Sequence, residues 1–267
     1  MAQITFDTVK VNDHGEIVER KSLAAEVWVE DLGGGVTLEL VRVPGQIFQM
    51  GSPRSQGYED EWPLHPVTLA PFWIGRHPVT QQQWQAVMGA LPHCRFHGER
   101  LPLENVSWKE AQQFCSRLAQ KTGLAYRLPG EAQWECACRS GSGEAFAFGR
   151  TLTTDLANYN GEFTFAQEPK GVYRHVPTAA GSFPPNAYGI YDMHGNLWEW
   201  CADAWHASYE GAPLDGAPWE ERGKGVDRVA RGGSWHDIPN VCRSATRLRI
   251  NPVHGDEITG FRIARDD

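Results

Sequence analysis

From about residue 140 to its end, the chain shows no sustained helical or strand period. Glycine, asparagine, aspartate, proline and tryptophan dominate there. A structureless stretch of that length inside a compact domain is unusual and is often functional. Such backbone needs anchors. The chain holds 11 tryptophans and 28 glycines, which suits a loop-rich fold in which large aromatic side chains pin irregular backbone.

Regular elements concentrate in the first half. Residues 1–32 alternate apolar and polar through Ile4, Phe6, Val9 and Val11, then Ile17 and Val18, then Val27, Trp28 and Val29. Asn12-Asp13-His14-Gly15 marks a turn between the first two runs. A β-hairpin or meander packed on the main body is expected there. Residues 36–50 read as two short strands broken at Pro44-Gly45. Three helices are expected. Thr80 precedes the first, over 81–88, which Gly89 ends. Ser107 caps the second in a capping box with Glu110, and Gly123 stops it. The third covers Glu131–Arg139.

Composition narrows the class. With 267 residues the chain can bury a large core without disulfides. The 25 basic and 33 acidic residues leave a net charge of −8, which argues against a general nucleic-acid binder. No apolar run is long enough for a membrane span, and the start lacks a basic and then apolar leader. The six cysteines (94, 115, 136, 138, 201 and 242) are sparse. They are expected to be reduced, buried thiols in a cytoplasmic protein. With no internal repeat and no linker, the organisation expected is an N-terminal β extension (1–35) on one domain (36–267).

Several segments, in order, resemble the formylglycine-generating-enzyme (sulfatase-modifying factor) family. They are Pro44–Ser52, Pro78–Trp84, Pro102–Trp108, Tyr126–Glu135, Arg231-Gly232-Gly233-Ser234-Trp235 and Gly260-Phe261-Arg262. The strongest is Pro184-Pro185-Asn186-Ala187-Tyr188-Gly189-Ile190-Tyr191-Asp192-Met193-His194-Gly195-Asn196-Leu197-Trp198-Glu199-Trp200. The resemblance spans residues 40–264 and implies an α+β, C-type-lectin-like fold with few helices. Gln46 stands where the family often has a second Gly. Gly130 stands where it usually has Thr, so the third helix should have a weak N-cap.

The oxidase members carry a copper-binding cysteine pair after the Arg-Gly-Gly-Ser-aromatic segment. Here the first of these positions is Asp237, and Cys242 lies only near the second. One thiol does not replace a pair, so neither copper nor oxidase catalysis is expected. Cys242 is instead expected close to Cys138, because enzyme members join roughly these regions by a disulfide. His194 is expected to be a hydrogen-bonded structural histidine. His236 and Asp237, adjacent in an extended segment, should point apart rather than work as an acid–base pair. An iron-dependent branch of the superfamily uses a His-rich motif on a helical domain that this chain lacks.

The resemblance also implies a calcium site at Asp192, Gly195, Leu197 and Glu199, with two carboxylates and two backbone carbonyls as hard oxygen donors. The alternative is that both carboxylates accept hydrogen bonds from loop amides. A second family site begins at Asn158-Tyr159, but its distal Asp is replaced near Gly171.

Residues 231–264 resemble the variable region of a diversity-generating-retroelement protein. A frame of Arg231-Gly232-Gly233-Ser234-Trp235, Pro239, Cys242–Ala245, Arg247, Arg249, Asn251-Pro252 and Gly260–Arg262 alternates with positions where many relatives carry Asn. Here those positions hold His236, Asp237, Ile238, Val241, Thr246, Leu248, Ile250, His254, Gly255 and Asp256. An adenine-mutated AAC codon can give every one of these residues. It cannot give Glu, so Glu257 would be unmutated. The resemblance implies a binding face for an unknown protein or other macromolecular ligand. The competing reading is an ordinary family member, or a regulatory domain of the kind found beside kinase or protease domains.

Overall fold

The computed structural model describes every residue of the chain except 222 and 224. The N-terminal alternation makes β1 (Ala2–Val11) and β2 (Ile17–Gly33), an antiparallel hairpin in which Phe6, Val9 and Val11 of β1 are buried. The hairpin does more than pack on the domain. β2 continues into a five-stranded antiparallel sheet with β3 (Val36–Val43), β6 (Phe72–Gly75) and β11 (Ala264–Asp266), in the order β1-β2-β3-β6-β11. Both ends of the chain therefore lie in one sheet. Between β3 and β6, β4 (Gln46–Met50) and β5 (His65–Leu69) form a separate two-stranded ribbon.

All three helices form where expected, two of them behind their own side-chain caps. Thr80 and Ser107 cap α1 (Gln81–Met88) and α2 (Trp108–Thr122) in capping boxes, and Gly123 ends α2 in the left-handed conformation at φ 80°. α3 (Glu131–Arg139) has no side-chain cap of its own at Gly130. Asp203 supplies one from elsewhere, its Oδ2 accepting the Glu131 N–H at 2.6 Å, while Gln133 Oε1 accepts the Gly130 N–H.

The loop-rich half is not without strands. β7 (Trp198–Ala204), β8 (Arg228–Arg231), β9 (Arg247–Ile250) and β10 (Thr259–Gly260) form a second sheet in the order β10-β7-β8-β9. Only the β10–β7 pair is parallel. This sheet and helices α1 and α2 enclose one core, where Trp84 stacks on Phe114 at 5.5 Å and Phe261 meets both edge-on. α3 lies in a second core with Val41, Phe72, Ile74, Met193 and Val229. Among the described residues, no helix is long and apolar enough to cross a membrane.

Candidate functional site

The segment between β8 and β11 is held at its frame residues by ion pairs that reach across the molecule. Arg243 makes a fork with Glu61, at 2.9 Å to Oε2 and 2.6 Å to Oε1, and Ser52 completes the carboxylate's bonding. Arg247 makes a second fork with Glu131 of α3, at 2.6 and 3.0 Å. Burial works against the Glu131 charge, but the guanidiniums of Arg247 and Arg231 hold its carboxyl below the usual range. Arg231 pairs with Glu135 and donates to the carbonyls of Ser244, Ala245 and Thr246. Arg262 forks onto Glu199 at 2.5 and 2.7 Å. All eight of these side chains are buried. Buried charges are costly unless paired and hydrogen-bonded, so these pairs fix where the segment runs.

The ten positions expected to face outward divide. His236, Ile238, His254 and Asp256 are exposed, and Val241, Leu248 and Ile250 are half-buried where they pack against the first core. Of the other three, Thr246 is a correction, while Asp237 and Gly255 are half-buried and held by their surroundings. Thr246 is buried, 2% exposed, between Ala245 and Arg247, with its hydroxyl donating at 3.5 Å to the Asn240 carbonyl. Asp237 is a fixed cap whose Oδ2 accepts from Trp198 Nε1 at 2.8 Å, from the Ser234 N–H at 3.0 Å and from the Ser234 hydroxyl at 2.6 Å. Gly255 lies so close to the chain at 105–106 that a Cβ would stand 2.6 Å from Asn105 C and Val106 N. A side chain there requires the backbone to move. Sequence signals for two of these existed: an Asp three residues after Ser234 suits a side-chain-capped turn, and a Gly shortly after Asn251-Pro252 suits a close backbone approach.

His236 and Asp237 do not pair. His236 Nδ1 lies 2.7 Å from the Tyr173 hydroxyl, and Tyr173 also packs on His175 at 3.7 Å. The segment 160–176, which carries no sequence signal for this surface, thus flanks residue 236. It also adds the exposed Phe163 and Val172, and the Asn160 N–H donates to the Asp237 carbonyl. His194 is buried, with Nδ1 donating to the Cys242 carbonyl at 2.8 Å and Nε2 accepting the Ala147 N–H at 3.0 Å. Burial pushes its pKa down to about 4, so it is a neutral strut. All six cysteines are free and buried. Burial pushes the Cys138 thiol up to about 12 and the Cys242 thiol well above its ordinary value. Cys138 Sγ lies 3.8 Å from His194 Nε2, and the Cys242 carbonyl lies on the other ring nitrogen.

The four expected calcium ligands are only partly available. Glu199 is committed, because Arg262 and Trp134 Nε1 take both of its oxygens. Asp192 fits a cation better. Its Oδ2 accepts the Gly181 N–H at 2.8 Å, but Oδ1 is buried and accepts nothing among the described residues. Burial pushes the Asp192 carboxyl up to about 6, so at neutral pH the fold carries a charged oxygen without a donor. Of the expected carboxylates only Asp192 has an oxygen left for a hard cation, and among the described residues no group of three or more His, Cys, Asp or Glu side chains gathers to hold one. At the second family site, Gly171 packs under Thr154 with no space for a carboxylate. Added calcium is therefore expected to raise the thermal midpoint of the native protein by mass action. Asp192→Asn is expected to abolish that rise, and equal midpoints of the native protein with calcium and with a chelator would remove the metal reading.

The chain is similar to known proteins over most of its length. The PvdO structure from Pseudomonas aeruginosa is 34% identical over 90% of this chain and 98% of that one, with a TM-score of 0.76. Treponema denticola variable protein 1 superposes with a TM-score of 0.78 at 26% identity, over 90% of this chain and 99% of that one. The inactive C-alpha-formylglycine-generating enzyme 2 of Bos taurus is 28% identical over 91% of this chain and 93% of its own length. The fold is thus α+β and C-type-lectin-like, as these structures share it. Residues 35–267 match the family model of the sulfatase-modifying factor enzyme 1-like domain, and the chain belongs to that family.

Proposed function

We propose that this is a non-catalytic binding protein of bacterial cytoplasm, the variable protein of a diversity-generating retroelement. It presents residues 236–256 to a protein or other macromolecular ligand. The observation that carries this reading is the division within one segment. Arg231, Arg243, Arg247 and Arg262 are locked into buried ion pairs with Glu135, Glu61, Glu131 and Glu199. Between them, His236, Ile238, Val241, Leu248, Ile250, His254 and Asp256 keep access to solvent. A fixed backbone loses little conformational entropy on association, and changeable side chains on it alter specificity without altering the fold. The DNA beside the gene tests the reading. A reverse transcriptase gene and a near-copy of the 3′ segment, with adenines at these seven codons, are expected, and their absence would overturn it.

Oxidase chemistry finds no reactive thiol in this segment. Asp237 occupies the first cysteine position as a hydrogen-bonded cap, and Cys242 is fully buried with its thiol held protonated. A nucleophilic or metal-binding cysteine needs accessible thiolate. A sulfatase-type cysteine peptide incubated with the protein and copper is expected to show no formylglycine by mass spectrometry. Turnover above a no-protein control would return the chain to the enzymes.

A further inference from the structure

Among the described residues β4 pairs only with β5, so its other edge is open there. In an antiparallel ladder, alternate residues direct both main-chain groups to the neighbour and the rest direct both away. Pro66, opposite Gln49, has no N–H to offer. The N–H of Thr68, opposite Ile47, donates away from β4 to the Leu214 carbonyl at 2.8 Å. Gln46, Phe48 and Met50 therefore bond to β5, and the N–H and C=O of Ile47 and Gln49 project from the open edge. Two residues further on, the same outward row is taken. The Gly51 N–H donates to Glu135 Oε1 and its carbonyl accepts from Arg139 Nη2, both at 2.9 Å. At Ile47 and Gln49, no group among the described residues takes these donors and acceptors.

This edge borders a groove of about 1050 Å³, which the loop at residues 141–145 lines opposite β4 together with Cys136 and Arg139 of α3. Open edges are normally guarded by lysine, proline, a bulge or a covering element. β4 reads Gln-Ile-Phe-Gln-Met with none of these, and Ile47 is 69% exposed. The charges lining the groove are already paired: Arg139 with Glu135, Arg243 with Glu61, and Arg150 with Glu144. A row of unpaired main-chain donors and acceptors selects an extended backbone, and walls whose positive and negative side chains balance select an uncharged one. Asn240 also lines the groove, next to Val241 of the binding face.

We propose that β4 captures one extended, uncharged peptide segment of a partner protein as an added strand, bonded to Ile47 and Gln49. The proposal does not depend on the variable-protein reading, whose failure would leave this edge unchanged. The probe is an acetylated and amidated heptapeptide of alternating threonine and valine, and the readout is amide hydrogen exchange at Ile47 and Gln49 by NMR. These amides should exchange freely in the protein alone and slow by about tenfold or more with saturating peptide. Alternate N-methylation of the peptide should cancel the protection. Ile47→Pro removes an outward N–H without touching the β5 ladder and should also cancel the protection of the amide that remains to report, that of Gln49. Gly143→Trp fills the groove from its other wall, at a position where a Cβ meets nothing within 4 Å, and should do the same even if the proline variant does not fold. Unchanged exchange at Ile47 and Gln49, or protection that survives Gly143→Trp, overturns the proposal. So does protection that appears without peptide and grows with protein concentration, which would assign the edge to a second copy of the chain.

Discussion

Arg231→Leu is expected to lower the unfolding free energy by about 3–5 kcal/mol, enough to leave a domain of ordinary stability, about 5–15 kcal/mol, close to unfolding. The side chain is wholly buried. It neutralises Glu135 and holds the carbonyls of Ser244, Ala245 and Thr246 at 2.5–3.0 Å. Leucine fills much of the volume but leaves the buried Glu135 with one of its two guanidinium partners, Arg139, and three carbonyls without donors. Lysine keeps the charge but not the fork, so Arg231→Lys should recover only part of the loss. Arg249 is the control. It sits two residues beyond Arg247 on β9, with its side chain 64% exposed and paired to Asp227, and Arg249→Leu should cost less than about 1 kcal/mol. Urea midpoints for the three variants decide the matter. Equal midpoints for Arg231→Leu and Arg249→Leu would mean that the buried pairs do not hold the C-terminal segment.

The elements that could be read from sequence are those whose signal is local. α1 and α2 begin and end at their caps, because a cap and a stop lie within a few residues of each other, whereas α3 takes its cap from Asp203, 72 positions away. β1 to β4 alternate because one face of each meets the core. β7 gave no such signal. Trp198-Glu199-Trp200-Cys201-Ala202-Asp203-Ala204 is covered on both faces, with only Ala202 partly open, so its polar and apolar residues do not alternate. β8, β9 and β10 have four residues or fewer, too short for any period to show. The ion pairs that shape the site were hidden for a different reason. Glu61 and Arg243 are 182 positions apart, and Glu131 and Arg247 are 116 apart. A buried Glu in a helix looks the same in sequence as an exposed one. The burial of Thr246 and the constraints on Asp237 and Gly255 were hidden because residue type says which side chains an error-prone codon permits, whereas the fold decides which positions tolerate them.

That difference gives the sharpest test of the binding face. Replacing His236, Ile238, Val241, Leu248, Ile250, His254 and Asp256 together by alanine should give a folded protein that no longer binds a partner selected by the native surface. The four exposed positions contribute little packing. Val241, Leu248 and Ile250 are half-buried, and truncating each should cost about 1 kcal/mol, since only part of its apolar area leaves contact. Asp237→Ala alone should cost at least as much as any of the seven. It strips Trp198 Nε1, the Ser234 N–H and the Ser234 hydroxyl of one shared acceptor, and an unsatisfied buried donor costs about 1–3 kcal/mol. Gly255→Val should also destabilise, because its Cβ would stand 2.6 Å from backbone atoms of Asn105 and Val106, and backbone cannot rotate aside as a side chain can. Binding titrations and denaturant midpoints on the same variants separate the two roles. A face selected for change must lose binding without losing the fold at the seven positions, and lose the fold first at Asp237 and Gly255. If the seven-alanine protein unfolds while Asp237→Ala and Gly255→Val stay at the native midpoint, positions 236–256 form core rather than a recognition surface.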